Sequence, residues 1–79
     1  MKNENQEPEL ILVFKTNLKH RKDVGKITSL LNMEQEIINW NVDLSDVDNV
    51  LRIESIQIAP QKIIQIISSA GYNCEELQD

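Results

Sequence analysis

Ile38, Trp40, Val42 and Leu44 alternate without a break with Asn39, Asn41 and Asp43. Successive side chains of a strand point to opposite faces, so this pattern predicts a strand over 38–44 with one face buried and one wet. Ser45-Asp46-Val47-Asp48-Asn49 follows, a run of residues that bond their own backbone in turns. Leu51 and Ile53 then alternate with Arg52 and Glu54, which predicts a second strand folded back antiparallel on the first. Asp43, Arg52 and Glu54 belong to the wet face of that hairpin.

What flanks the hairpin is repeated on both sides. Upstream, Leu10-Ile11-Leu12-Val13-Phe14 is a continuous apolar run of strand length, read as a strand over 9–16. Val24, Ile27, Leu30 and Leu31 then recur at helical spacing and predict an amphipathic helix over 19–31, with Asn17 or a neighbour as its cap. Downstream, Ala59-Pro60 opens a second helix, proline standing where its missing N–H does no harm. Ile63, Ile64, Ile66, Ile67 and Ala70 supply its apolar face, and Gly71 stands where a left-handed residue closes a helix. Residues 72–77 are read as a short last strand.

The order is therefore βαββαβ. Two right-handed βαβ halves joined by a hairpin give an α+β, ferredoxin-like sandwich: a four-stranded antiparallel sheet with two helices on one face. The expected core is Leu10, Leu12, Phe14, Val24, Ile27, Leu31, Ile38, Trp40, Val42, Leu51, Ile53, Ile63, Ile64, Ile67 and Ala70. The first strand is apolar on both faces, so Ile11 and Val13 are either part-exposed or covered by a partner.

The chain has 79 residues, enough for one domain. Residues 1–8 read as a disordered polar leader and 9–78 as the single domain. A formal charge of −5 disfavours nucleic acid and anionic membrane surfaces as partners. The N-terminus lacks the apolar stretch of a signal peptide, and no apolar run approaches the ~18 residues of a membrane span. A single cysteine, Cys74, leaves no internal disulfide and suits a reducing compartment, so the expected location is cytoplasmic.

Pro60-x-x-Ile63-Ile64-x-Ile66-Ile67-x-x-Ala70-Gly71-Tyr72, with the valine of the first helix and the 38–53 hairpin at matching places, resembles the heavy-metal-associated domains of the copper-chaperone-like superfamily. The resemblance covers about residues 9–78. In that family the loop after the first strand reads Met-x-Cys-x-x-Cys, and its two thiolates bind a soft ion such as Cu(I). Counting back from Val24 places Lys15 at the methionine, Asn17 at the first cysteine and His20 at the second. Neither cysteine is present. The resemblance thus implies the fold and argues against the usual activity.

Two readings of a site stay open at this point. His20 and Cys74 form a substitute pair of ligands for a soft or borderline metal ion, because the topology brings the approach to the last strand near the first loop. In the plainer reading His20 is an exposed residue of a helix's first turn, Cys74 packs in a strand, and no cofactor is bound. Lys15, Lys19, Arg21, Lys22 and Lys26 place five of the eight Lys/Arg residues within twelve positions of an acidic chain. Cations at a helix N-terminus oppose its dipole, which points to a docking patch for an acidic protein or an anion, against the alternative of a merely solvated face. Asp43, Asp46 and Asp48 lack the spacing of a twelve-residue calcium loop and are read as hairpin residues. No phosphate loop, nucleophile set or carboxylate pair is legible, so a non-enzyme is expected. The functional expectation is a small interaction module that contacts another protein or associates with itself. The alternatives are metal handling through His20 and Cys74, or a small-ligand sensor that binds in a dimer cleft.

Overall fold

The computed structural model describes residues 10–77. The expected leader, 1–8, and the ends of the expected domain, Glu9 and Gln78, lie outside the described residues. The elements are β1 (Leu10–Thr16), α1 (Arg21–Asn32), β2 (Ile37–Asp43), β3 (Val50–Ser55), α2 (Pro60–Ser69) and β4 (Cys74–Glu76). The strands form one sheet in the order β2-β3-β1-β4, every pair antiparallel. This is the ferredoxin-like sandwich that the alternation and the two helical stripes predict.

The pairing of β1 with β3 sets Leu12 against Ile53 and Phe14 against Leu51. Cross-strand partners share a face, so these four build the inner layer. The inner parity of β1 is Leu12, Phe14 and Thr16, all buried, while Ile11 faces out and is 53% exposed. Ile27 and Leu31 of α1 and Ile63 and Ile67 of α2 close the core from the other side. Each helix contributes the i, i+4 pair that lies on one face.

Two expectations about the core, Ile38 and Leu10, are corrected. Ile38 is 39% exposed, because the β2–β3 register shifts between Ile37 and Asn39. That bulge adds one residue and reverses the parity before it, so Ile37 packs against the core in its place. Leu10, at the open start of β1, is 37% exposed. Trp40, Val42, Ile64 and Ala70 pack against the core as expected and are half-buried, Trp40 and Val42 because β2 is an edge strand; Val24 is half-buried as well. In compensation, Leu18 and Ile58 are buried from loops.

α2 ends in a Schellman motif. The Gly71 N–H donates to Ser68 O (2.9 Å) and the Tyr72 N–H to Ile67 O (3.2 Å). Gly71 has φ of 95°, a conformation that costs a Cβ-bearing residue heavily. This exit uses Tyr72 and Asn73 as connection, which is why β4 is shorter than the 72–77 expected.

Candidate functional site

β1 ends at Thr16, and four residues lead to α1. Thr16 is buried and holds three segments together. Its N–H donates to Asp48 O (3.0 Å). Its Oγ1 donates to Asn49 O (2.6 Å) and accepts the Leu18 N–H (3.1 Å). The hairpin turn reaches these bonds because Asn49 takes φ of 45°, which asparagine tolerates. Leu18 then drops its side chain into the core with no exposed surface. The alternation in and out of the core leaves Asn17, Lys19 and His20 exposed.

Asn17 and His20, which the resemblance set at the family's cysteine positions, have separate surroundings. Asn17 Oδ1 accepts the backbone N–H of Asn73 (2.8 Å), which ties the first loop to the α2–β4 connection. His20, not Asn17, is the N-cap residue of α1, with extended backbone at φ −131° and ψ 161°. The acid three residues on completes the cap. Asp23 Oδ2 accepts the N–H groups of Lys19 (3.2 Å) and His20 (3.1 Å). Its Oδ1 accepts the Tyr72 hydroxyl (2.9 Å). The Tyr72 hydroxyl, and then the two backbone N–H groups, hold the Asp23 carboxyl below the usual carboxylate range. Burial and the Asp23 carboxylate together push the Tyr72 hydroxyl above its ordinary value. Sequence reading passed over Asp23. Its signal was an acid at the third helical position, half of a capping box.

Cys74 pairs across the sheet with Thr16 and is half-buried. Burial pushes its thiol up to about 12, so it carries its proton at neutral pH. Lys15, Thr16, Asn17, Ser68, Asn73, Cys74 and Glu75 line a depression of about 450 Å³. The structure thus brings Asn17 and Cys74 to one depression, and His20 is not part of its wall. A Cu(I) site needs deprotonated soft ligands. The donors here are an amide oxygen already bonded, an exposed imidazole and one half-buried thiol, and among the described residues no three His, Cys, Asp or Glu side chains cluster to hold an ion. This donor set does not fit a soft ion held by two thiolates.

Lys15, Lys19, Arg21, Lys22 and Lys26 are all exposed. Lys15 lies 3.9 Å from Asp48, a loose pair with both side chains open to solvent. Among the described residues no carboxylate lies within 4.0 Å of the Lys19, Arg21, Lys22 or Lys26 charge. Lys22 and Lys26 stand at i, i+4, where like charges repel. Asp23 is the one acid of α1, and its two oxygens already accept three hydrogen bonds. Among the described residues no helix is long and apolar enough to cross a membrane.

No protein-family model matches the sequence, and no curated protein is similar enough in sequence to count as a relative. Solved structures match closely in shape. The yeast copper transporter domain CCC2A, determined in apo and Cu(I)-loaded states, superposes with a TM-score of 0.75 at 18% identity, over 87% of this chain and 96% of that one. The N-terminal domain of PacS from Synechocystis PCC6803 gives 0.72 at 11%, over 87% and 98%. The Cu(I)-loaded first domain of the human copper chaperone for SOD1 gives 0.72 at 12%, over 91% and 94%. The chain has the fold of the heavy-metal-associated domains.

Proposed function

We propose that this protein is a non-catalytic interaction module: a domain of the heavy-metal-associated fold whose ion-binding loop is closed by its own hydrogen bonds, and whose basic surface beside that loop docks an acidic protein. One observation carries the reading. The oxygens of Asn17 and Asp23 are taken up by N–H and O–H groups of the loop and its neighbour, while four adjacent cations remain exposed and unpaired among the described residues. Such charge is costly to the helix and favours encounter with an oppositely charged surface. A domain of this fold also occurs in a protein–protein assembly, the Atx1-Cu(I)-Ccc2a complex. A single half-buried thiol is consistent with a reducing location such as the cytoplasm.

The test is affinity capture from a lysate of the native host, comparing the parent with the Lys19→Glu/Lys22→Glu double variant at low and high salt. Acidic partners should be retained by the parent, released by salt, and lost from the variant, while circular dichroism stays unchanged. A variant that keeps every partner of the parent refutes the docking surface. Titration with anaerobic Cu(I) and with Zn(II), followed by amide spectra, is the second arm. Tight binding lost in both Cys74→Ser and His20→Ala would refute the closed loop and establish His20 and Cys74 as ligands.

A further inference from the structure

Within the described residues no strand lies beyond β2, so its outer edge is open. Edges are normally blunted by shortness, proline or lysine. The other edge, β4, is blunted by its length of three residues. β2 runs for seven residues, contains no proline or basic residue, and carries one charge, Asp43, at its end. Its bulge protects only the first part, up to Asn39.

The outward direction of this edge is fixed by two hydrogen bonds. The Trp40 N–H donates to the side-chain oxygen of the adjacent Asn39 (2.9 Å), and the Ile56 N–H, of the same parity as Arg52, donates to Glu36 O, which turns Arg52 towards its partner Asn41. Backbone groups of a strand alternate in direction, so Trp40 and Val42 present their N–H and C=O groups outward, and Asn41 presents its own to β3.

We infer that β2 pairs antiparallel with β2 of a second copy of this chain, about a two-fold axis through Asn41. This register joins Trp40 to Val42 of the second copy, and Val42 to its Trp40, through four backbone hydrogen bonds that use the outward groups. It sets Asn39 opposite Asp43, so the amide released from the Trp40 N–H meets a carboxylate. No like charges oppose each other. Both cross-strand residues of a pair share a face, so the helices of both copies lie on the same side of one eight-stranded sheet. The half-buried Trp40 and Val42 gain cover across the seam. A register slipped by four, about Asp43, would bring the two Asp43 carboxylates together and is disfavoured.

Sedimentation of the full chain from about 10 µM to about 1 mM tests this, since dimer population follows protomer concentration. The parent should pass from monomer mass towards dimer mass. Asn41→Lys puts two ammonium groups directly opposite each other, at a cross-strand Cβ spacing of about 5 Å, and should weaken the dimer about tenfold or more. Asn41→Thr, neutral and strand-favouring, should dimerise at least as well as the parent. Circular dichroism confirms that each variant is folded. Lys19→Glu/Lys22→Glu should leave dimerisation unchanged, which separates this surface from the basic one. A parent that stays monomeric at 1 mM overturns the inference, and so does a dimer indifferent to Asn41→Lys.

Discussion

The same chemical change, glycine to alanine, should move stability in opposite directions at the two glycines of this chain. Gly25 lies inside α1, is exposed, and an added Cβ there would meet nothing within 4 Å. Alanine removes the backbone-entropy penalty of a helical glycine, a gain of about 0.8–1.0 kcal/mol. Gly71 also has open space around its Cβ position, so no clash is at issue there. Its φ of 95° is the whole effect. A left-handed alanine costs about 1–2 kcal/mol, offset by about 0.4–1 kcal/mol from the stiffer unfolded chain. The net expectation is a loss of about 1 kcal/mol. For a domain of this size each kcal/mol moves Tm by about 4–8 °C. The two variants should therefore melt on either side of the parent, about 8–16 °C apart. Thermal and urea unfolding followed by circular dichroism measure this directly. A Gly71→Ala protein that melts with the parent would show that the helix exit does not need a left-handed residue, and the placement of Tyr72 and Asn73 would lose its basis.

Leu18→Ala should cost about 2–5 kcal/mol in urea unfolding, as an enclosed core leucine does, although it lies in a loop. Asp23→Asn should flatten the acid limb of stability. A carboxylate with a depressed folded pKa stabilises above its unfolded value and loses that contribution as pH falls through the folded one, so the parent should lose stability below about pH 4 more steeply than the variant. Cys74, pushed up to about 12, should react with iodoacetamide far more slowly in the native protein at pH 8 than in urea. Equal rates would mean that the thiol is not shielded.

The hairpin and both helices are legible because each has a regular period: two residues in 38–44, and three to four in 24–31 and 63–70. The misreadings fall where a period is interrupted. A one-residue bulge moved Ile38 outward and Ile37 inward, a change that alternation cannot register. Leu18 and Ile58 lie in connections, where burial depends on what the tertiary fold places beneath them. The positions of Asn17 and His20 followed from the resemblance, and topology alone brought the α2–β4 connection to the first loop. What Asn17 does there was hidden, because its partner, the Asn73 N–H, is 56 residues away. Asp23 was legible in principle from the local cap and was missed; its bond to Tyr72 was not, since it spans 49 residues.

Leu18 separates chemistry from architecture in this loop. Its side chain is anchored in the core beneath, and Thr16 fastens the chain just before it, so the path of the loop is set from below. Exchange of His20 should leave that path in place, whereas exchange of Asn17 also removes the bond to the α2–β4 connection. The frame of the loop is thus held from beneath, by a leucine that no reading of the exposed surface would single out.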